Sequence, residues 1–245
     1  MRVNRIAAQA LAGMALLAVA GSAQSFITST TFNFNTMAEP TGSHGESAWT
    51  SLDLAGTGFN VAITGTKFRP TDPTNTSAFA YLDASNAGLG VCGSASGAIN
   101  QTTGSGANLC SPSSDDNTTV GETLHFTFDA DVTIDNFWFN NNHDGGFGTN
   151  PQDQVNIGGT AFDVVTGVAG EVGTGIGSFT VLAGNTLTVG YENEQFYVSA
   201  MTISVDIPPP ASVPEPATLL LLALGLIGIS LSAKKKPATV SVDRS

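Results

Sequence analysis

The chain has 245 residues, with twenty acidic side chains against eight basic ones and a formal net charge of −12. Six of the basic residues, Arg2, Arg5, Lys234, Lys235, Lys236 and Arg244, lie at the two ends, so residues 24–213 hold only Lys67 and Arg69 against eighteen carboxylates, a formal −16. Phosphate binding needs a basic face, which excludes nucleic acid as a partner; an acidic surface instead suits solubility outside the cell and attracts divalent cations.

Taken in chain order, the first five residues carry two arginines, and Ile6 to Ala20 is apolar apart from Gln9. The small residues Ala18-Val19-Ala20 and Gly21-Ser22-Ala23 follow. This is the layout of a secretory signal peptide, cleaved after Ala20 or Ala23; Ala23 is preferred, giving a signal peptide over residues 1–23. About 190 residues then remain, enough for one substantial core.

Phe26 to Phe34 reads as an edge strand and residues 38–47 as a loop. From Gly58 to Phe68, Phe59, Val61 and Ile63 share one parity, the period of a half-buried strand. Phe79 and Tyr81 share one face of a short strand ending near Asp83. Residues 122–129 alternate most cleanly, with Leu124, Phe126 and Phe128 inward and His125, Thr127 and Asp129 outward. Val132 and Ile134 open the next strand, and the parity slip at Asp135-Asn136 before Phe137-Trp138-Phe139 predicts a bulge. Segments 155–157, 161–165, 178–182, 186–191 and 196–206 bring the count to about ten strands separated by Gly, Asn or Asp, with no amphipathic helix before residue 217. The expected fold of residues 24–206 is therefore all-β, an antiparallel β-sandwich of jelly-roll-like type.

Cys92 and Cys110 enclose a Gly-, Ser- and Asn-rich loop; in an exported chain an even pair at this separation is most simply a disulfide. Asp115, Asp116, Asn117 and Glu122 precede or open one strand, and Asn142 and Asp144 follow the next. If those two strands form a hairpin, the six residues share one end of the sheet and offer the oxygen donors that Ca²⁺ prefers. Asp and Asn are also ordinary turn formers, which alone accounts for them in loops. His44, His125 and His143 lack ligand spacing. Trp138, opposite in parity to Phe137 and Phe139, is the best candidate for a sugar-stacking platform, although aromatic residues of sandwiches are more often core. No Gly-x-Ser-x-Gly elbow occurs; a glycosidase's paired carboxylates would be set by the fold rather than by spacing.

Residues 207–213 form a linker whose Pro208-Pro209-Pro210 favours an extended spacer. Then come Val213-Pro214-Glu215-Pro216, seventeen uncharged residues from Ala217 to Ala233, and Lys234-Lys235-Lys236. A helix over 217–233 would rise about 26 Å, close to a hydrocarbon core of about 30 Å, with the lysines snorkelling on the cytoplasmic side. Residues 237–245 would be a cytoplasmic tail.

This order of a Pro-Glu-Pro, a transmembrane segment and a basic cluster resembles the PEP-CTERM sorting signal of exported proteins, with 214–236 as the signal. The resemblance implies an exosortase as partner, cleavage near Pro214–Pro216, transient anchoring in the inner membrane and a Gram-negative source that makes exopolysaccharide. Gly88-Leu89-Gly90-Val91-Cys92, Cys110-Ser111-Pro112-Ser113-Ser114-Asp115-Asp116-Asn117, Gly121-Glu122-Thr123-Leu124 and Trp138-Phe139-Asn140-Asn141-Asn142-His143-Asp144-Gly145 are similar to segments of other PEP-CTERM proteins, without implying an enzymatic activity. The expected function is a non-enzymatic surface or extracellular-matrix protein associated with biofilm or exopolysaccharide. A calcium-dependent carbohydrate-binding module is the alternative, and a glycosidase a third.

Overall fold

The described residues form thirteen strands, several of which keep the period-two alternation read from sequence. The computed structural model describes residues 25–101, 109–141, 146–147, 153–167 and 175–209. The elements are β1 (Phe26–Asn33), α1 (Phe34–Ala38), β2 (Ser47–Trp49), β3 (Leu52–Gly56), β4 (Phe59–Lys67), β5 (Ser77–Asp83) and β6 (Gly88–Cys92). They continue with β7 (Glu122–Phe128), β8 (Val132–Asn140), β9 (Gln154–Ile157), β10 (Thr160–Asp163), β11 (Phe179–Val181), β12 (Thr186–Tyr191) and β13 (Tyr197–Ile207). Phe26–Ile207 forms one compact unit.

Where the sequence predicts a jelly-roll-like sandwich, the strands hydrogen-bond into one curled antiparallel sheet. Its order is β10-β9-β12-β7-β4-β5-β6-β13-β8-β11, with β1 on β13, β2 on β5 and β3 on β4. The curl passes through β5, which pairs with β4 only at its start, Ala78 and Ser77 opposite Gly65 and Thr66, and then with β2 and β6. Gly65 permits that crossing, because a Cβ there would stand 2.6 Å from the Phe79 carbonyl oxygen.

The two halves close on a single core. Val61, Ile63, Leu124, Phe126, Val155 and Val189 face Leu89, Val91, Ile134, Phe137, Met201 and Ile203. Edge-on packing of Phe126 and Phe137, with ring centroids 5.5 Å apart, links β7 to β8 across it. Each such side chain, fully buried, contributes roughly 1.5–3 kcal/mol of transfer free energy. The bulge predicted in β8 is present: Thr202 and Ile203 of β13 face Asn136 and Ile134, leaving Asp135 as the extra residue.

Three features differ from the sequence reading. Strands β2, β3 and β6 were not foreseen; β6 is buried along its whole length, so no alternation marks it. Residues 34–38 form a short helix capped by Asn33, whose Oδ1 accepts from the Thr36 amide at 3.0 Å. Strands β7 and β8 do not form a hairpin: β7 pairs with β4 and β12, and β8 with β13 and β11. Among the described residues no helix is long and apolar enough to cross a membrane. The expected signal peptide (1–23) and transmembrane segment (217–233) lie outside the described residues.

Candidate functional site

Lys67, at the end of β4, makes both ion pairs found among the described residues. Its Nζ reaches Asp115 Oδ1 at 2.5 Å and Glu122 Oε1 at 2.9 Å. Glu122 opens β7 directly opposite Lys67 in the ladder, so pairing of the two strands sets this contact. Glu122 is 1% exposed and also accepts from the Thr119 amide at 2.9 Å. Burial pushes its carboxyl up to about 7, while the Thr119 amide and Lys67 pull it back and Asp115 adds to the rise. For Lys67, burial opposes the charge, yet the hydrogen bonds and attraction of Asp115 and Glu122 leave its pKa raised. Asp115 Oδ2 in turn accepts from the Gly93 amide, and Gly93 has no side chain because a Cβ would stand 2.7 Å from that oxygen. Arg69 lies two residues on, and its guanidinium donates to the carbonyls of Asn75, Ser77 and Gly93. Both cations of residues 24–213 thus brace the segment that follows β6.

That segment begins with the disulfide. Cys92 and Cys110 are bonded, with Cα atoms 5.7 Å apart. Backbone pairs Ser96–Leu109 and Ser111–Ser94 continue the closure on either side. Behind it, fully buried Tyr81 donates to Glu46 Oε1 at 2.7 Å and accepts from the Leu109 amide at 3.0 Å. Tyr197, also fully buried, donates to Asp116 Oδ1 at 2.8 Å. Burial first, then the neighbouring carboxylates (Glu46 and Asp83 for Tyr81, Asp83 and Asp116 for Tyr197), drive both phenols far above their ordinary pKa and keep them as donors. Chemically, the arrangement holds carboxylates in place, each against a cation or a phenol.

Four of the six residues of the calcium set expected from sequence are described, and each has a place in this network or beside it. Asp115 and Glu122 receive the Lys67 ammonium where a metal was expected, Asp116 receives Tyr197, and Asn117 is buried at 2% exposure. Asn142 and Asp144 lie outside the described residues, as does His143. Among the described residues no group of three or more His, Cys, Asp or Glu is arranged to hold a metal. The end of β8 is linked to Asp116 through β13: Tyr197 bonds Asp116 and is the ladder partner of Asn140. Trp138 has the parity read from sequence but is only 5% exposed, so it presents no open ring face to a sugar. His125 bonds the Thr66 hydroxyl at 2.7 Å, and His44 bonds Ser43 and packs edge-on against Trp49; burial lowers both pKa values. The sequence reading missed Lys67, Tyr81, Glu46, Asp83 and Tyr197 as a network. The rarity of basic residues was the signal for Lys67, one of two cations among the eighteen carboxylates of residues 24–213.

The remaining functional signal is linear and lies beyond the β unit, at the C-terminus. Residues 212–236 match the PEP-CTERM protein-sorting motif. The match takes in Pro214-Glu215-Pro216, the uncharged run after it and all three lysines. The PEP-CTERM motif implies recognition by an exosortase, and with it export, membrane-associated sorting and a surface or extracellular end state. No curated protein and no solved structure matches the chain.

Proposed function

We propose that this chain is a non-enzymatic surface or extracellular-matrix protein, cut by an exosortase near Pro214–Pro216 and associated with exopolysaccharide in a biofilm. The observation that carries the reading is the PEP-CTERM motif at 212–236, which follows a compact β unit closed by a disulfide. In this account residues 1–23 start export, and residues 217–233 hold the folded domain at the inner membrane of a Gram-negative cell until cleavage releases it. The seventeen uncharged residues and the lysines behind them support that role, since their length and flanking charge suit a span. The non-enzymatic reading draws on the partners of the carboxylates: buried Glu122 and half-buried Asp115 face Lys67, and buried Asp116 and Glu46 face tyrosines. Groups so engaged stabilise a scaffold instead of meeting a substrate.

Cell fractionation of wild type and a deletion of Pro214-Glu215-Pro216 tests the proposal. Wild type is expected at the surface or in the medium at reduced mass, and the deletion in the membrane fraction at higher mass. Finding both in the same fraction at the same mass would sink it.

A further inference from the structure

A second group of oxygens, at the end of β8, the start of β9 and the turn before Phe196, has no basic side chain as a partner among the described residues. Asn141 follows β8 and is 1% exposed. Its Nδ2 donates to Glu194 Oε1 at 3.3 Å, which fixes the orientation of the amide, and its Oδ1 is buried without a donor. Asp153 precedes β9, and its Oδ2 is likewise buried without a donor. Asn141 continues the parity of core-facing Phe139, and Asp153 that of Val155 and Ile157, so both side chains turn toward the interior.

Backbone bonds draw these residues into one neighbourhood. The Val164 amide donates to the Asp153 carbonyl, and the Gly167 amide donates to the Phe139 carbonyl, both at 2.9 Å. On its other side the Gln154 amide donates to Asn193 Oδ1 at 2.7 Å, and the Asn193 amide returns to the Gln154 carbonyl at 3.4 Å. Asp153 is thus bonded to Val164, three residues before the Gly167 that bonds β8, and adjoins Gln154, which pairs with Asn193 beside Glu194.

We propose that Asn141 Oδ1, Asp153 and Glu194 bind a divalent cation of the calcium type. The donor set is all oxygen, with neither sulfur nor imidazole, which is the preference of a hard cation, and carbonyls and waters complete a shell of about six to eight. A buried amide oxygen without a donor costs free energy that coordination would recover. Water at either orphan oxygen would leave the charges of Asp153 and Glu194 uncompensated, and Lys67 and Arg69 are engaged elsewhere. The cation would clamp the end of β8, the start of β9 and the β12–β13 turn. Because calcium is plentiful outside cells, this part of the fold would tighten on export.

The test is calorimetric titration of the full chain in detergent, stripped with EDTA, using CaCl2 alone. One saturable site is expected, with a Kd of roughly 10⁻⁵ to 10⁻³ M, and excess Ca²⁺ should raise Tm by about 3 °C or more. Asp153→Asn and Glu194→Gln should each weaken binding about tenfold or more, and the double variant should abolish it. Asp206→Asn, exposed on β13, should bind like wild type. Cooperative melting of the variants in EDTA, at the wild-type temperature, shows that they fold. Either no calcium-dependent heat or Tm shift in wild type, or equal binding by wild type and the double variant, overturns the site.

Discussion

Two carboxylate clusters flank Phe196, and they are neutralised by opposite means. On one side Thr118 pairs with Phe196 through 2.8 and 3.1 Å backbone bonds, and the adjoining Asp115 and Glu122 close on Lys67. On the other, Phe139 packs edge-on against Phe196 at 5.4 Å, and the adjoining Asn141, Asp153 and Glu194 have no basic side chain. Of the two cations in residues 24–213, Lys67 completes the first cluster and Arg69 is held by the carbonyls of Asn75, Ser77 and Gly93, which leaves neither for the second. The other needs something from outside. The comparison separates a cluster finished by folding from one finished, in our proposal, by the exterior medium.

The largest expected effect is on the finished side. Lys67→Met leaves Glu122 and Asp115 without their cation and should cost about 3–5 kcal/mol, measured by urea unfolding. Lys67→Met/Glu122→Leu should recover much of that, because the buried charge goes with its partner. Cys92→Ser/Cys110→Ser opens the adjoining loop and should cost about 3 kcal/mol in the same assay, through gained freedom of the unfolded chain. Tyr197→Phe strips Asp116 of a buried donor and should cost about 1–3 kcal/mol.

A pH series sharpens the same side. Glu122 is raised from 4.5 to about 7, so the folded protein keeps a proton across that interval that the unfolded chain gives up. The stability it contributes is complete below about 4.5 and is lost as pH rises through about 7. Wild-type Tm should therefore fall more steeply over that interval than the Tm of Glu122→Gln; parallel curves would contradict the assignment. The smallest effect belongs to the unfinished side. In EDTA, Asp153→Asn should change stability by no more than about 0.5 kcal/mol, since it breaks no protein partnership.

What was legible in sequence follows from how local each signal is. Strands β4, β7 and β13 show in their alternation because one face is buried and the other is wet. Strand β6 hides because both its faces are covered, and Gly90 replaces a side chain where the Asp116 carbonyl comes too close for a Cβ. The bulge at Asp135 was readable from a local slip in parity, and the disulfide from two cysteines in an exported chain. Lys67 meeting Asp115 and Glu122 was not, since those partners lie far along the chain and only β4–β7 pairing unites them. The calcium expectation fell on Asp115, Asp116 and Glu122 because composition reveals oxygen donors but not which of them the protein already occupies. The parity of Trp138 is legible in sequence, whereas its 5% exposure is not, as coverage of a sheet face is a tertiary property. The sorting motif was the clearest feature because its whole content is linear.

The most direct test of the account is the intact mass of the protein recovered from the cell surface or medium. Cleavage near Pro214–Pro216 predicts a C-terminus within or beside that tripeptide and no peptide containing Lys234-Lys235-Lys236. A surface form that retains residues 217–245 would contradict it.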